Sequence, residues 1–452
     1  MKEEDRTVGR ACTAVPPYFR YPGSLNYFRF PTKIQRVEAS LRGILEGKPP
    51  LNIVKPLAVA IGPYHHGSSP QLGEIEEAKQ VALEEFFRVA NQPPAVVREK
   101  MVSVAASARR CYTGDFGKEG DVGSTEEDDS IQGMDQDVQF AKMMLLDGCF
   151  LLQFMVSMCP DHPHKQEEDQ LMSRVEVHTH IDAIARDILL LENQIPWPVL
   201  KALMEFRPFV PINRFLYLMA SAFDVGNERH NNSTDSQQQS QGGAEPYRDE
   251  DPLNPPDHLL ALFCRRQVGA PRTKELFVPR LSSISTTAVE LTEIGVKLTV
   301  SKTKEFGDMK VKKRQWRGLG LGLFGEISLA PLVLNEMTAC WLINMAAYEA
   351  SLGATQADNF AVSSYISVIA LLMNREEDVH ELRSKGIVNS AFSNEGTLGF
   401  FKWAAPTLRC ASATATTTSF NALRSTSRRG GRGSLFTASS TKTSSPSSPF
   451  SP

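Results

Sequence analysis

Apolar residues recur along most of this chain at intervals of three and four, the spacing that places them on one face of a helix. A first run with this spacing comprises Ile34, Val37, Leu41 and Leu45, and a second extends from Ile75 to Phe87. Alternation of apolar and polar positions, which is typical of strands, is confined to short pieces: Leu57–Ile61, Val296–Val300 and Ile327–Leu334. The pattern predicts a mainly α fold, with a multi-helix globular core and a few short strands.

Longer periodic runs predict seven further helices: Phe140–Met158, Val199–Phe206, His258–Arg266, Ser285–Gly295, Glu336–Leu352, Ser363–Asn374 and Val379–Gly386. The first of them is the most apolar. It also carries Lys142, Asp147 and Gln153, so we expect polar groups inside a mostly buried helix. The last of them closes on Gly386, a residue favoured just after a helix end.

Asp187–Pro196 combines five aliphatic residues with polar ones and ends at a Pro-Trp-Pro break. Its acids and amides need partners if the stretch is buried. Asp187 and Glu192 are five residues apart and do not share a helix face well, which argues against a catalytic carboxylate pair. We interpret Glu192 and Asn193 as structural residues that bind backbone groups near the break, where helix carbonyls lose their partners.

Composition divides the chain into five parts: an irregular leader at 1–30, an N-terminal helical half at 31–225, a low-complexity linker at 226–256, a C-terminal helical half at 257–400, and a tail at 401–452. The tail is rich in Ser and Thr and is predicted to be disordered. Within the N-terminal half, the acidic and Gly-rich insert 113–135 is predicted to be a mobile loop.

Charge and cysteine content exclude several protein classes. A net charge of −3 over 452 residues gives no general attraction to nucleic acid. Seven scattered cysteines without a CxxC pair argue against a disulfide framework and favour a reducing compartment. The charged N-terminus is not a secretory signal, and no run of eighteen apolar residues occurs. As written, the chain is predicted to have no membrane span, which leaves a soluble cytoplasmic protein as one alternative.

Histidines and cysteines raise the question of a metal or a nucleophile: His65, His66, Cys149, Cys159, His162, His164, His178 and His180. A zinc site uses four ligands in paired short spacings, which these residues lack. Cys149 lies in an apolar helix, where a free cysteine is usually core filler. The sequence therefore predicts no catalytic residue, no metal ligand and no cofactor.

Two further patterns have a structural and a functional interpretation. Gly320–Gly325 spells GxGxxG, but an irregular basic segment precedes it instead of a strand, which favours a flexible loop over nucleotide binding. A basic cluster surrounds Trp316: Lys302, Lys304, Lys310, Lys312, Lys313, Arg314 and Arg317. We expect a solvated loop there. Contact with phosphates, an anionic membrane surface or a nuclear import receptor is the alternative.

Seven ordered blocks resemble one plant family, the domain of unknown function 247: Ile34–Val37 with Leu41 and Arg42, Ile61–Gly67 with Leu72 and Lys79, Met144–Leu152, Asp187–Pro196, His258–Leu260, Ala288–Val296 and Ser364–Ile369. The resemblance implies a mainly helical plant protein without established enzymatic activity. It also implies a membrane anchor near the C-terminus, as is usual in the family, and localisation at the plasma membrane. The chain departs from the family at Glu38, where Pro is usual, at the Gly-rich run 318–325, and in its disordered basic tail, which replaces the anchor.

These observations lead to an expected function and two rivals. We expect a non-enzymatic, membrane-associated interaction or signalling protein whose partner is another protein, met by the loops 113–135, 226–256 and 301–325. One rival is an enzyme of unknown class with a pocket between the helical halves, using His65 or His66 with Asp147. The weaker rival is nuclear or nucleic-acid binding through the basic cluster at 302–317.

Overall fold

The computed structural model describes residues 34–37, 42, 53–113, 128–159, 169–224, 255–269, 286–314, 324–352 and 360–411. Within these ranges the chain forms thirteen α-helices and five short strands. The predicted mainly α fold is confirmed.

Seven helices precede residue 225: α1 (Glu74–Val89), α2 (Pro94–Arg109), α3 (Asp128–Ser157), α4 (Val175–Thr179), α5 (Ile181–Asp187), α6 (Trp197–Met204) and α7 (Ile212–Ala220). The long helix α3 lies at the centre, and α1, α2 and α6 pack on it. Gly148 permits the close approach of α6, since a Cβ atom at this position would lie 2.4 Å from Leu203 Cδ1. Proline in the first turn favours the starts of α2 and α6.

Six helices follow residue 255: α8 (Leu259–Val268), α9 (Ala288–Glu293), α10 (Glu336–Ser351), α11 (Ala361–Leu372), α12 (Glu376–Ser384) and α13 (Asn394–Ala411). Capping boxes start α9 at Thr287 and α10 at Asn335, where side chains and backbone N–H groups bond reciprocally. Gly386 follows α12 with φ +69°, a conformation that favours glycine. The predicted helices in this part are confirmed, with ends shifted by a few residues.

The strands form two small sheets. In the first, β1 (Lys297–Val300) pairs in parallel with β3 (Phe324–Leu329), and β2 (Lys310–Arg314) pairs with the other edge of β3 in antiparallel orientation. In the second, β4 (Leu332–Leu334) pairs in parallel with β5 (Val388–Ser390). The strands predicted at 296–300 and 327–334 are confirmed as β1, β3 and β4.

One hydrophobic core joins the residues before the linker to those after it. Phe223 illustrates this, because its ring contacts Phe263, Phe306 and Trp341, all from the later part of the chain. The ring centroids lie 5.6–6.3 Å apart, a range in which aromatic pairs attract each other. The described parts of the two helical halves therefore share one packed interior.

The helix α3 also contains the one stretch among the described residues that meets the length and composition criteria for a membrane span. This stretch is Gln136–Ser157, with a mean hydropathy of 1.4. However, 83% of its apolar window is buried inside the protein, against neighbouring helices. Its apolar composition is explained by its position in the core.

The segment Leu57–Ile61, predicted to be a strand, is irregular, so that prediction was wrong. Its N–H groups donate to the side chains of Asp187 and Asn193 instead of to a neighbouring strand. Burial does not alternate along this segment, because Leu57 is 49% exposed whereas Ala58–Ile61 are all buried, so the alternation in the sequence does not mark one face of a sheet.

Three segments predicted as loop or tail are partly regular. α3 begins at Asp128, so residues 128–135 of the acidic insert are helical, and acidic residues suit the first turns of a helix as well as a loop. Residues 310–314 of the basic cluster form β2, because pairing with β3 satisfies their backbone. α13 continues to Ala411, past the predicted tail boundary at 401, since Phe401 and Leu408 are buried in the core.

Other predictions concern residues outside the described ranges. These are the leader 1–30, residues 114–127 of the acidic insert, residues 226–254 of the linker, Trp316 and Arg317 of the basic cluster, the Gly-rich run at 318–323 and residues 412–452. Helices α2, α7 and α13 are among those that the apolar spacing did not predict. The buried residues of α2, which are Val97, Met101, Ala105 and Ala108, recur at helical spacing, but the exposed Val96 and Val102 lie outside this stripe and obscure it in the sequence.

Candidate functional site

The buried segment 53–62 is irregular, so its backbone N–H groups need partners that neither a helix nor a sheet supplies. Asp187 at the end of α5 provides one such partner. Its Oδ2 atom accepts hydrogen bonds from the N–H groups of Leu57, Ala58 and Val59 at 2.7, 2.7 and 3.1 Å. Burial raises the pKa of Asp187 to about 6, although these N–H groups and Arg186 act in the opposite direction.

Asn193 binds the same segment from the loop between α5 and α6. Its Oδ1 atom accepts a hydrogen bond from Ile61 N–H at 2.7 Å, and its Nδ2 atom donates to Val59 O at 3.0 Å. The same Nδ2 atom donates to Asp187 O at 3.0 Å, at the end of α5. The prediction that Asn193 binds backbone groups is confirmed, although the groups it binds lie in the segment 53–62 and at the end of α5, upstream of the predicted Pro-Trp-Pro break.

Lys79 of α1 and Asp147 of α3 form an ion pair beneath the segment. Lys79 Nζ lies 2.7 Å from Asp147 Oδ1, and both side chains are buried. Lys79 Nζ also donates to Ala60 O at 2.6 Å, and Gly62 N–H donates to Asp147 Oδ2 at 2.8 Å. Burial would lower the pKa of the Lys79 ammonium, but the carboxylates of Asp147 and Glu76 outweigh it and raise this pKa.

Glu192 connects the same region to residues near the start of the described chain. Its Oε1 atom accepts hydrogen bonds from Val37 N–H at 2.6 Å and from the Arg42 guanidinium. Its Oε2 atom lies 3.6 Å from His65 Nε2. Burial, with Arg42 and Arg36 nearby, lowers the pKa of His65 to about 4. His65 is therefore neutral near pH 7.

Gln194 extends these contacts to the second half of the protein. Its Nε2 atom donates to the carbonyl groups of Ile188 and Leu190 at 2.9 and 2.7 Å. Its Oε1 atom accepts a hydrogen bond from Leu260 N–H at 2.9 Å, at the start of α8. The buried polar cluster, as we name it, thus comprises Lys79, Asp147, Asp187, Glu192, Asn193 and Gln194.

The contacts of this cluster are those of a structural element. Asp147 and Asp187 have both carboxylate oxygens bound by donors and are buried. The enzyme hypothesis paired His65 or His66 with Asp147, but the Asp147 carboxylate binds Lys79 and Gly62 N–H instead. His65 faces Glu192, and His66 is exposed.

The other candidate chemistry is dispersed. No group of three or more His, Cys, Asp or Glu side chains that could hold a metal occurs among the described residues. His162 and His164 lie outside them. Cys149 is buried, and burial raises the pKa of its thiol well above the ordinary value, which disfavours the thiolate. The GxGxxG sequence ends in β3 at Gly325, where phosphate binding would require a helix N-terminus.

A groove of about 790 Å³ lies between α1, α2 and the first half of the apolar part of α3. Its lining is mainly apolar, with contributions from all three helices: Leu83, Met101, Val102, Phe140, Met143 and Leu146. Met101 and Phe140 are buried and form the floor, whereas Val102 is 43% exposed. This groove is the candidate binding site.

The residues with basic side chains that line the groove are His66, Arg98, Arg109 and Lys142. Arg109 is paired with Asp137, with 3.0 Å between Nη2 and Oδ1. The Arg98 guanidinium lies 5.2 Å from the centroid of the Phe87 ring. Lys142 was predicted to lie inside the helix but is exposed at the groove. Among the described residues, neither Arg98 nor Lys142 forms an ion pair with a carboxylate.

The groove was not predicted from the sequence, because it depends on how α2 packs against α3. The available signal was local: Met143 and Leu146 continue the apolar stripe of α3 on a face that also carries Lys142. The expected contact loops 113–135, 226–256 and 301–325 are described only in part, at 113, 128–135, 255–256, 301–314 and 324–325.

Comparison with known proteins identifies the family. Residues 34–412 match the family model DUF247, described as plant protein of unknown function. The chain belongs to the DUF247 family. The resemblance carried by the seven sequence blocks is therefore confirmed, and the match spans both the buried polar cluster and the groove.

Among curated proteins, the DUF247 chain is similar to UPF0481 protein At3g47200 of Arabidopsis thaliana. The two are 25% identical over 363 residues, which are 77% of this chain and 68% of that protein. No solved structure matches this chain. The comparisons establish a plant family and leave its activity open.

Proposed function

We propose that this DUF247 protein is a non-enzymatic interaction protein that binds a partner protein in the groove between α1, α2 and α3. The observation that carries the proposal is the composition of the groove, which has an apolar floor, basic residues at its margin and no carboxylate among the described residues that line it. Concave apolar surfaces with a few polar groups are typical binding sites. Exposed apolar residues in such a surface are covered favourably by a partner.

The buried polar cluster supports this proposal by holding the walls of the groove. Lys79 on α1 is adjacent in sequence to Gln80, and Asp147 on α3 is adjacent to Leu146, and both neighbours line the groove. The Lys79–Asp147 ion pair therefore fixes α1 against α3 directly behind the binding surface. A preformed surface loses less conformational entropy on binding than a mobile one.

Association with the plasma membrane is part of the proposal. It is supported by the family resemblance, since relatives of this kind usually carry a membrane anchor. Within the basic cluster, the exposed Lys302 is compatible with contact to an anionic membrane surface, whereas Lys304 is paired with Asp224. Fractionation of plant cells that express the full chain tests this part, and recovery of the protein only in the soluble fraction would contradict it.

Site-specific photo-crosslinking tests the groove. A photoreactive residue at Val102 lies in the groove, and one at Val175, which is 74% exposed at the start of α4, serves as the matched control. In plant cells we expect a discrete protein adduct from position 102 that is absent from position 175 and lost in the R98E/K142E variant. Equal adducts at both positions, or an adduct indifferent to R98E/K142E, would contradict the proposal.

A further inference from the structure

We infer that the occupant of the groove is an acidic amphipathic helix of the partner protein, about three turns long. The inference rests on the proposed function, because it specifies the partner of the same groove. It is argued from the length of the groove, from the position of its apolar residues and from the distribution of its charges.

The length follows from the two longer walls. The lining residues of α2 run from Arg98 to Arg109, and those of α3 run from Gln136 to Leu146. At 1.5 Å per residue these walls extend about 15–17 Å, which matches about three helical turns of an occupant. The groove opens to solvent along this length, because Val102 and Lys142 on its walls are exposed.

The apolar lining suits the side chains of a helix. Leu83, Val102, Met143 and Leu146 form walls around a floor of Met101 and Phe140. A helix laid in such a groove inserts apolar residues at positions i, i+3, i+4 and i+7. Methionines on both α2 and α3 allow the surface to adapt to different apolar side chains.

The charges select an acidic occupant. Arg98 lies on the α2 wall and Lys142 on the α3 wall, and neither has a carboxylate partner among the described residues. An occupant with Asp or Glu on both sides of its apolar stripe would meet both cations. A single-chain fatty acid offers one carboxylate at one end and would meet only one of them. The two-sided arrangement therefore favours the helix.

Binding of synthetic helices to the purified full chain tests the inference by fluorescence anisotropy. Three labelled 15-residue peptides are compared: one with a leucine stripe flanked by Glu, one with the same stripe flanked by Lys, and a scrambled form of the first. We expect the Glu peptide to bind at least tenfold more tightly than the other two peptides. Its affinity should fall as the salt concentration is raised. Equal binding of the Glu and Lys peptides would overturn the inference.

Charge-reversal variants test whether the peptide binds in the groove. R98E/K142E should weaken binding of the Glu peptide at least tenfold. The charge-matched control K297E/K402E, at exposed positions of β1 and α13, should change the affinity by less than twofold. Circular dichroism melts of both variants verify that they fold. Equal weakening by both variants would show a general charge effect and overturn the inference.

Two outcomes separate this inference from the proposed function. If dodecanoate binds with an affinity sensitive to R98E/K142E and the Glu peptide does not bind, the groove is an amphiphile site and the helix is wrong. If the Val102 crosslink yields a specific protein adduct but the Glu peptide does not bind, the proposed function stands and this inference fails. Both are supported if the Glu peptide binds the parent protein, binds the R98E/K142E variant at least tenfold more weakly, and reduces formation of the Val102 adduct.

Discussion

Gly62 packs directly against the backbone carbonyl of Gln194. A Cβ atom added to Gly62 would lie 2.8 Å from Gln194 O and 3.0 Å from Tyr112 Oη, and Tyr112 Oη itself donates to that carbonyl at 2.7 Å. Gly62 also has φ +75°, in the left-handed region. Two independent requirements, conformation and space, thus select glycine where the irregular segment meets the Asp187–Pro196 stretch.

Gly62→Ala should therefore be costly. We expect the free energy of unfolding to fall by about 2–5 kcal/mol, the sum of about 1–2 for a left-handed conformation and about 1–3 for overpacking against immobile backbone. Gly67→Ala is the matched control, because Gly67 has φ +67° but nothing within 4 Å of its added Cβ atom. Gly67→Ala should lower the free energy of unfolding only by the conformational contribution of about 1–2 kcal/mol. Urea denaturation measures both, and equal losses would contradict the packing argument.

Asn193→Ala removes the side chain that bonds to Ile61, Val59 and Asp187. We expect the free energy of unfolding to fall by roughly 1–3 kcal/mol, because buried backbone groups lose their partners. Asn389→Ala, at an exposed position of β5, is the control and should change stability by less than about 0.5 kcal/mol. An Asn193→Ala variant that melts like the parent protein would show that these bonds do not stabilise the segment.

Much of the fold could be predicted from the sequence, because the buried face of a helix produces apolar residues at helical intervals. α3, α10 and α11 were predicted from apolar periodicity, and the helix end at Gly386 from its glycine. The structural interpretation of Asn193 also followed from the sequence, since a buried amide beside a proline break needs backbone partners.

The partners themselves could not be predicted, because they lie far away along the chain. Asn193 and Ile61 are separated by 132 residues, and Asp187 and Ala58 by 129. Local periodicity carries no information about which distant segment a side chain binds. The groove escaped prediction for the same reason, since residues of α2 and α3 form it together only after packing.

Lys79 and Asp147 should be energetically coupled. Lys79→Met leaves the buried Asp147 carboxylate without its cation and should lower the free energy of unfolding by about 3–5 kcal/mol. Asp147→Asn keeps an oxygen that can accept from Gly62 N–H but loses the ion pair. The Lys79→Met/Asp147→Asn double variant should be more stable than the sum of the single losses predicts, because no uncompensated charge remains. Strictly additive losses in a double-mutant cycle would contradict this coupling.

Glu349 should make stability depend on pH. Its carboxylate is buried at the C-terminal end of α10 and accepts from Val362 N–H, Ser363 N–H and the Ser363 hydroxyl at 2.8–2.9 Å, at the start of α11. Burial raises its pKa from the ordinary 4.5 to about 7, against the effect of these bonds. The folded state therefore holds the proton more tightly than the unfolded state, and the contribution of Glu349 to stability falls as the pH rises from about 4.5 to 7.

Glu349→Gln removes this titration. The stability of the variant relative to the parent should rise by about 3 kcal/mol between pH 4.5 and pH 7.5, since one pKa unit corresponds to about 1.4 kcal/mol. The difference between the two proteins is the informative quantity, because burial lowers the pKa of His65 and His258 to about 4 and these groups shift stability in the opposite direction. Urea denaturation across this range provides the measurement, with Glu336→Gln, at an exposed position in the first turn of α10, as the control. A difference between Glu349→Gln and the parent that stays constant with pH would show that the pKa of Glu349 is not raised in the folded state, because its bonds to α11 offset the effect of burial.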